Sequence, residues 1–115
     1  MVDDEPEIVD LVVTILRRDG WKVDVAEGGR SGLERVRAAR YDLIVSDFRM
    51  PDGDGEAFYR AAVEAQPELM RHFLFMTGDT ANPIAWQFLQ DARITVIEKP
   101  FSPDALRAAI ARLGS

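Results

Sequence analysis

The sequence predicts an α/β fold in which a parallel sheet is covered by helices on both faces. Three observations carry this. Segments of helical and strand periodicity alternate along the 115 residues. Two of the strand segments, Leu43-Ile44-Val45 and Phe73 to Met76, are wholly apolar, the pattern of strands buried on both faces. The punctuation between elements is short, with no linker, repeat or low-complexity tract, so a single domain is expected over residues 1–115.

A helix is expected over about Pro6 to Asp19, where Ile8, Leu11, Val12, Ile15 and Leu16 recur at helical spacing and Asp19-Gly20 stops it. Trp21 to Ala26 alternates apolar and polar residues and reads as a strand. Gly28-Gly29 turns the chain into a helix from about Ser31 to Arg40, with Leu33 and Val36 inward. After the Leu43–Val45 strand, Met50 to Gly55 reads as a loop, and a helix follows to about Gln66. Phe73 to Met76 is the next strand; His72 precedes it and reads simply as its start. Asn82-Pro83 opens a helix with proline at its first position and Ala85, Phe88, Leu89 and Ala92 on its core face. Ile94 to Ile97 is the last strand. Ser102-Pro103-Asp104 then starts a helix whose buried stripe is Leu106, Ala109, Ile110 and Leu113. The front of this series carries only the stub Met1-Val2, so the first strand is shortened.

Composition excludes several functions. With no cysteine, thiol catalysis, disulfides and thiolate-bound metal are out, and a reducing, cytoplasmic setting is expected. A single histidine cannot build a multi-histidine zinc site. A net charge of −6 disfavours nucleic acid as a direct partner. No apolar run is long enough to span a membrane, and the acidic Met1-Val2-Asp3-Asp4 is no signal peptide.

Parallel α/β sheets place their sites beyond the carboxyl ends of the strands. The residues there are Asp3, Asp4, Asp47, Thr77 and Lys99. Three carboxylates on one rim repel one another unless a cation lies between them. Oxygen-only donors suit Mg²⁺, and a lysine and a hydroxyl complete a site for a transferred phosphoryl group. Taken singly, each residue has a plainer reading: Asp3 and Asp4 as a helix cap, Thr77-Gly78 as a turn, Lys99 as solvated surface. Asp52-Gly53-Asp54-Gly55 is similar to a calcium loop, but its sixth position is Ala57 where glycine is needed.

Together, Val2-Asp3-Asp4-Glu5, Asp47 with Met50-Pro51 and Asp54-Gly55, Thr77-Gly78 and Lys99-Pro100-Phe101 resemble the receiver domain of two-component response regulators, over essentially the whole chain. The run from Phe75 to Thr80 with Ile97 to Phe101 most resembles receivers of hybrid histidine kinases. The resemblance implies a flavodoxin-like, doubly wound, five-stranded parallel sheet of order 2-1-3-4-5 with five helices. It implies that Asp47 is the phosphoacceptor, supplied by a histidine kinase or histidine phosphotransfer protein. It further implies that Asp4 binds Mg²⁺ directly and Asp3 mainly through water, with Asp47 and the backbone carbonyl of Arg49 as further ligands. Lys99 contacts a phosphoryl oxygen, Thr77 moves inward, and the Lys99-Pro100 bond is cis. Gly78 and Asp79 border the site, and Arg49 and Asp79 tune phosphate lifetime. A signalling switch rather than an enzyme is expected, one that promotes its own phosphorylation and slow dephosphorylation, with no membrane contact and compatible with a weak homodimer.

Two departures matter. Receivers carry three or four more apolar residues before the acidic pair, and an aromatic three before the lysine, where Val96 stands here. A β-branched valine cannot swing as a ring does, so output is expected from the loop Gly78 to Asn82 and the helix start carrying Ile84 and Trp86. With the sequence read as ending at the last helix, output is expected through another protein, a further phosphotransfer or an attached kinase. Three competitors fit less well. A phosphohydrolase with an aspartyl-phosphate intermediate wants an acid where Arg49 stands. A flavodoxin wants a phosphate loop where Asp3-Asp4-Glu5 would repel phosphate. A degenerate docking module would not keep the full acceptor set.

Overall fold

The first helix, α1 (Pro6–Arg18), begins with proline at its first position, where the missing N–H costs nothing. It ends as the sequence predicts: Gly20 takes φ of +94°, its N–H reaches the Arg17 carbonyl at 3.1 Å and the Trp21 N–H reaches Leu16 at 3.0 Å, the two bonds of a Schellman stop. In this computed structural model residues 1–50, 53–78, 83–91 and 94–113 are described, the backbone alone at 49–50, 53–54 and 83–86. α2 (Gly29–Ala38) starts two residues before the expected Ser31, because the Gly28 carbonyl already accepts the Gly32 N–H at 2.9 Å.

Next come β1 (Ile44–Asp47), the two-residue strands β2 (Arg49–Met50) and β3 (Gly53–Asp54), and α3 (Gly55–Ala65). A 3₁₀ turn (Pro67–Arg71) leads to β4 (Phe73–Thr77), α4 (Pro83–Asp91), β5 (Thr95–Glu98) and α5 (Pro103–Arg112). The Ser102 hydroxyl accepts the Ala105 N–H at 3.0 Å and caps α5. β1, β4 and β5 form a parallel sheet in that order, with Ile44 opposite Phe73 and Leu74 opposite Thr95. Alternation sorts the apolar strands to two faces. Ile44, Phe73 and Phe75 join Val36, Phe58 and Leu89 on the α2–α3 side. Val45, Leu74 and Met76 join Val12, Leu16 and Leu106 on the α1–α5 side.

Five helices and a parallel sheet are present among the described residues, but three strands of that sheet rather than the expected five. Val2 makes isolated parallel bridges to Ser46 on one side and Ala26 on the other. Of Trp21 to Ala26, expected as strand, only Ala26 pairs, in an isolated bridge to Val2, and Trp21 to Val25 forms no strand. Its alternation of apolar and polar residues suits a strand, but a strand needs a laddered partner, and the Met1-Val2 stub reaches only Ala26 and, through the terminal ammonium at 3.1 Å, the Asp24 carbonyl. A cavity of about 50 Å³ lies beside this gap, lined by Met1, Leu16, Trp21, Val23, Val36, Leu43 and Phe58 among others.

Met50 to Gly55, expected as plain loop, contains the antiparallel pair β2–β3, with Arg49 opposite Asp54 and Met50 opposite Gly53; Pro51 and Asp52 lie outside the described residues. Gly55 ends the excursion. Its N–H reaches the Phe48 carbonyl at 2.8 Å, and a Cβ there would stand 2.8 Å from both that oxygen and the Phe75 ring. Gly55→Ala is therefore expected to destabilise the fold by about 1–3 kcal/mol, read as a lower denaturant midpoint at unchanged m-value. A midpoint equal to the parent's would mean the Phe48–Gly55 contact yields freely.

Candidate functional site

The carboxyl ends of the strands gather the site. Asp47 ends β1 and Thr77 ends β4. Asp3 follows Val2, which is clamped to β1 because the Val2 N–H reaches the Val45 carbonyl at 2.8 Å and the Asp47 N–H reaches the Val2 carbonyl at 2.8 Å. Lys99 follows β5, and its N–H reaches the Thr77 carbonyl at 2.8 Å. Phe48, directly after Asp47, packs edge-on against Phe75 at 5.2 Å, which anchors the strand end that carries the aspartate.

Asp3, Asp47 and Thr77 are buried, 1%, 6% and 4% exposed, and for the two acids such burial is unusual unless they are paired. The pairing is through one cation. Lys99 Nζ lies 3.3 Å from Asp3 Oδ2, 3.4 Å from Asp47 Oδ2 and 2.8 Å from Glu5 Oε1. Asp3 Oδ1 accepts the Glu5 N–H at 2.9 Å. Burial works to lower the Lys99 pKa, but the Glu5 hydrogen bond and the charges of Asp47 and Asp3 outweigh it and hold the ammonium above the usual lysine value of 10.5. The stability this contact gives is full below 10.5 and is lost only as pH rises through the higher folded value.

Asp3, Asp4 and Asp47 each offer a carboxylate oxygen within 4.8 Å of the others. Octahedral Mg²⁺ with ligands at about 2.1 Å places its oxygens roughly 3–4 Å apart, so this all-oxygen set fits a hard divalent ion with slight contraction. Asp4 is exposed.

The structure brings Asp3, Asp4, Asp47 and Lys99 together, with the Thr77 carbonyl bound to Lys99. The Lys99–Pro100 peptide is cis. Gly78 is exposed, and a Cβ on it would come 4.0 Å from Lys99 Cβ. Arg49 falls in β2, paired with Asp54. Asp79 and the rest of 79–82 lie outside the described residues, as do the side chains of Ile84 and Trp86. Val96 is half-buried against the α2–α3 core.

Sequence reasoning treated Glu5 only as part of the acidic run. Its carboxylate is the nearest partner of Lys99, 94 residues away in the chain, and no local pattern announces such a pair.

Compared with known proteins, the chain matches the family described as response regulator receiver domain over residues 1–111. It is 31% identical over 110 residues to the transcriptional regulatory protein GlrR of Escherichia coli, covering 96% of this chain and 24% of that protein; the chain thus spans about a quarter of that relative's length. Among solved structures it resembles the chemotaxis protein CheY4 of Vibrio cholerae, with a TM-score of 0.84 and 32% identity over 97% of this chain and 93% of that one. It also resembles the beryllofluoride-activated NtrC4 receiver domain dimer, with a TM-score of 0.79 and 27% identity over 96% of this chain and 93% of that one.

Proposed function

The chain belongs to the response regulator receiver domain family, a signalling domain, and on that premise we propose that it is a phosphoacceptor switch in which Asp47 takes a phosphoryl group from a phosphohistidine on a histidine kinase or phosphotransfer protein. One observation carries this reading: Lys99 Nζ stands within 3.4 Å of both Asp47 and the fully buried Asp3 at the carboxyl edge of the sheet. An Asp47 oxygen attacks phosphorus, the phosphorus–nitrogen bond breaks, and the imidazole leaves with the electron pair. Lys99 neutralises charge on the transferred group, and Thr77, at the end of β4, donates its hydroxyl to a phosphoryl oxygen. Such transfer needs positioning and charge neutralisation more than a strong nucleophile.

Asp4, Asp47 and the Arg49 carbonyl would hold Mg²⁺, with Asp3 contributing through water. Both Asp3 oxygens are already engaged by Lys99 and the Glu5 N–H, whereas Asp4 is exposed; this supports the division of labour. When bound, the ion shields the clustered carboxylates and polarises the phosphoryl oxygens. The bridges of Val2 to Ala26 and Ser46 support the strand order 2-1-3-4-5. Val96, packed and β-branched, supports an output through the loop after Gly78 rather than through β5. Among the described residues no helix is long and apolar enough to cross a membrane, and a cytoplasmic setting is part of the proposal.

Intact mass after incubation with a small phosphodonor and Mg²⁺ tests the function: one added phosphoryl group supports it, and none refutes it. The metal has its own test. At 100 times its Kd, Mg²⁺ stabilises the folded state by about 2.7 kcal/mol, several degrees in Tm. Asp47→Ala removes one carboxylate from the cluster, so it is expected to melt above the parent in EDTA and to gain less from Mg²⁺. Equal gains in both proteins would place the ion elsewhere.

A further inference from the structure

The shortest contact of the site lysine is with the one acid that the proposed chemistry does not use. Lys99 Nζ lies 2.8 Å from Glu5 Oε1, against 3.4 Å from Asp47 Oδ2. The Lys99 side chain is 13% exposed and that of Glu5 57% exposed, so Glu5 reaches the ammonium from the solvent side. Glu5 is the N-cap residue of α1 but makes no side-chain cap bond, so its carboxylate has no role in closing the helix. Its backbone is fixed, because its N–H is held by Asp3 Oδ1 at 2.9 Å.

We propose that Glu5 is a positioning residue that holds Lys99 in a resting orientation and competes with the incoming phosphoryl group for its ammonium. A lysine has three donors, and here three carboxylates occupy its surroundings. A phosphoryl oxygen on Asp47 must take one of those places. Asp3 is buried and held from two sides, so Glu5, exposed at the rim, is the partner that yields. The resting contact reduces the fraction of molecules whose lysine is ready for the phosphoryl group, and apparent affinity falls by that fraction. The inference rests on the phosphoacceptor reading above.

The test uses beryllofluoride with saturating Mg²⁺ as the phosphoryl probe on the full chain. Glu5→Gln is expected to tighten its binding by about threefold, the scale of a half-exposed ion pair, while Glu7→Gln, an acid one residue into α1, leaves it unchanged. In a Lys99→Met background Glu5→Gln is expected to have no effect, since the coupling runs through the ammonium. The Lys99 ammonium ¹H–¹⁵N resonance, slowed in solvent exchange by its carboxylates, is expected to weaken in Glu5→Gln. Equal tightening by Glu7→Gln, tightening that persists without Lys99, or no change in affinity would each overturn the proposal. Should Lys99→Met not fold, the Glu7 comparison and the ammonium resonance decide. Failure of the parent protein to bind beryllofluoride at all would refute the phosphoacceptor reading itself, which is a different outcome.

Discussion

Incubated with phosphoramidate and Mg²⁺, the Asp47→Asn protein is expected to show no gain in intact mass where the parent gains one phosphoryl group. Asparagine keeps the volume and most of the packing of Asp47 at the end of β1 but has no carboxylate oxygen to attack phosphorus. The alternatives nearby are poor acceptors. The Ser46 hydroxyl is buried and donates to the Asp47 carbonyl at 2.9 Å. The Asp3 side chain is fully buried against Lys99. Asp4 is exposed but lies off the end of β1, without the strand that fixes Asp47. The parent's adduct, an acyl phosphate, is expected to be lost in mild base and to be trapped by hydroxylamine. Undiminished labelling of the asparagine variant, or an adduct indifferent to both treatments, would assign the acceptor elsewhere.

Lys99→Met is expected to produce the largest loss of stability of any single change in the site. The ammonium is the shared cation of Asp3, Glu5 and Asp47, and removing one partner from a buried pair leaves an uncompensated charge, at a cost of about 3 kcal/mol or more. That is roughly 10 °C in Tm for a domain of this size. Mg²⁺ supplies positive charge to the same carboxylates, so part of the loss is expected to return when it is added. Asp47→Ala is expected to shift Tm in EDTA in the opposite direction. The two variants together therefore read the sign of the electrostatic balance, and a Tm for Lys99→Met equal to the parent's would show that the acids are relieved by solvent rather than by the lysine.

The parts of this fold that were legible in the sequence are those whose cause is local. Phe73 to Met76 announces a strand buried on both faces because every side chain in it is apolar, and Ser102-Pro103 announces a helix start because cap and first turn are adjacent. Asp47 and Thr77 could be singled out because each directly follows such a strand. What was not legible depends on partners distant in the chain. Trp21 to Val25 has strand periodicity and no strand, since Val2 is the residue that pairs beside it and does so at Ala26. The β2–β3 pair has weak strand propensity, with Gly53 and Asp54 on one side, and exists because Gly55 closes onto Phe48. The Glu5–Lys99 contact joins the two ends of the chain, and neither residue type nor spacing encodes it.

Val2's narrow hold on the sheet has a bearing on the order in which the domain comes apart. Four backbone hydrogen bonds, at 2.8 to 3.1 Å, tie Met1 to Asp3 between β1 and Ala26, whereas β4 is laddered along its length on both sides. Native-state openings follow such seams, since the unit with the fewest shared bonds detaches first. Here that unit carries the acidic pair. A partial opening that spares the β1–β4–β5 ladder would still take Asp3 and Asp4 away from Asp47, so the protection of the Val2 and Asp3 amides against hydrogen exchange is also a measure of how much of the time the acid cluster is assembled.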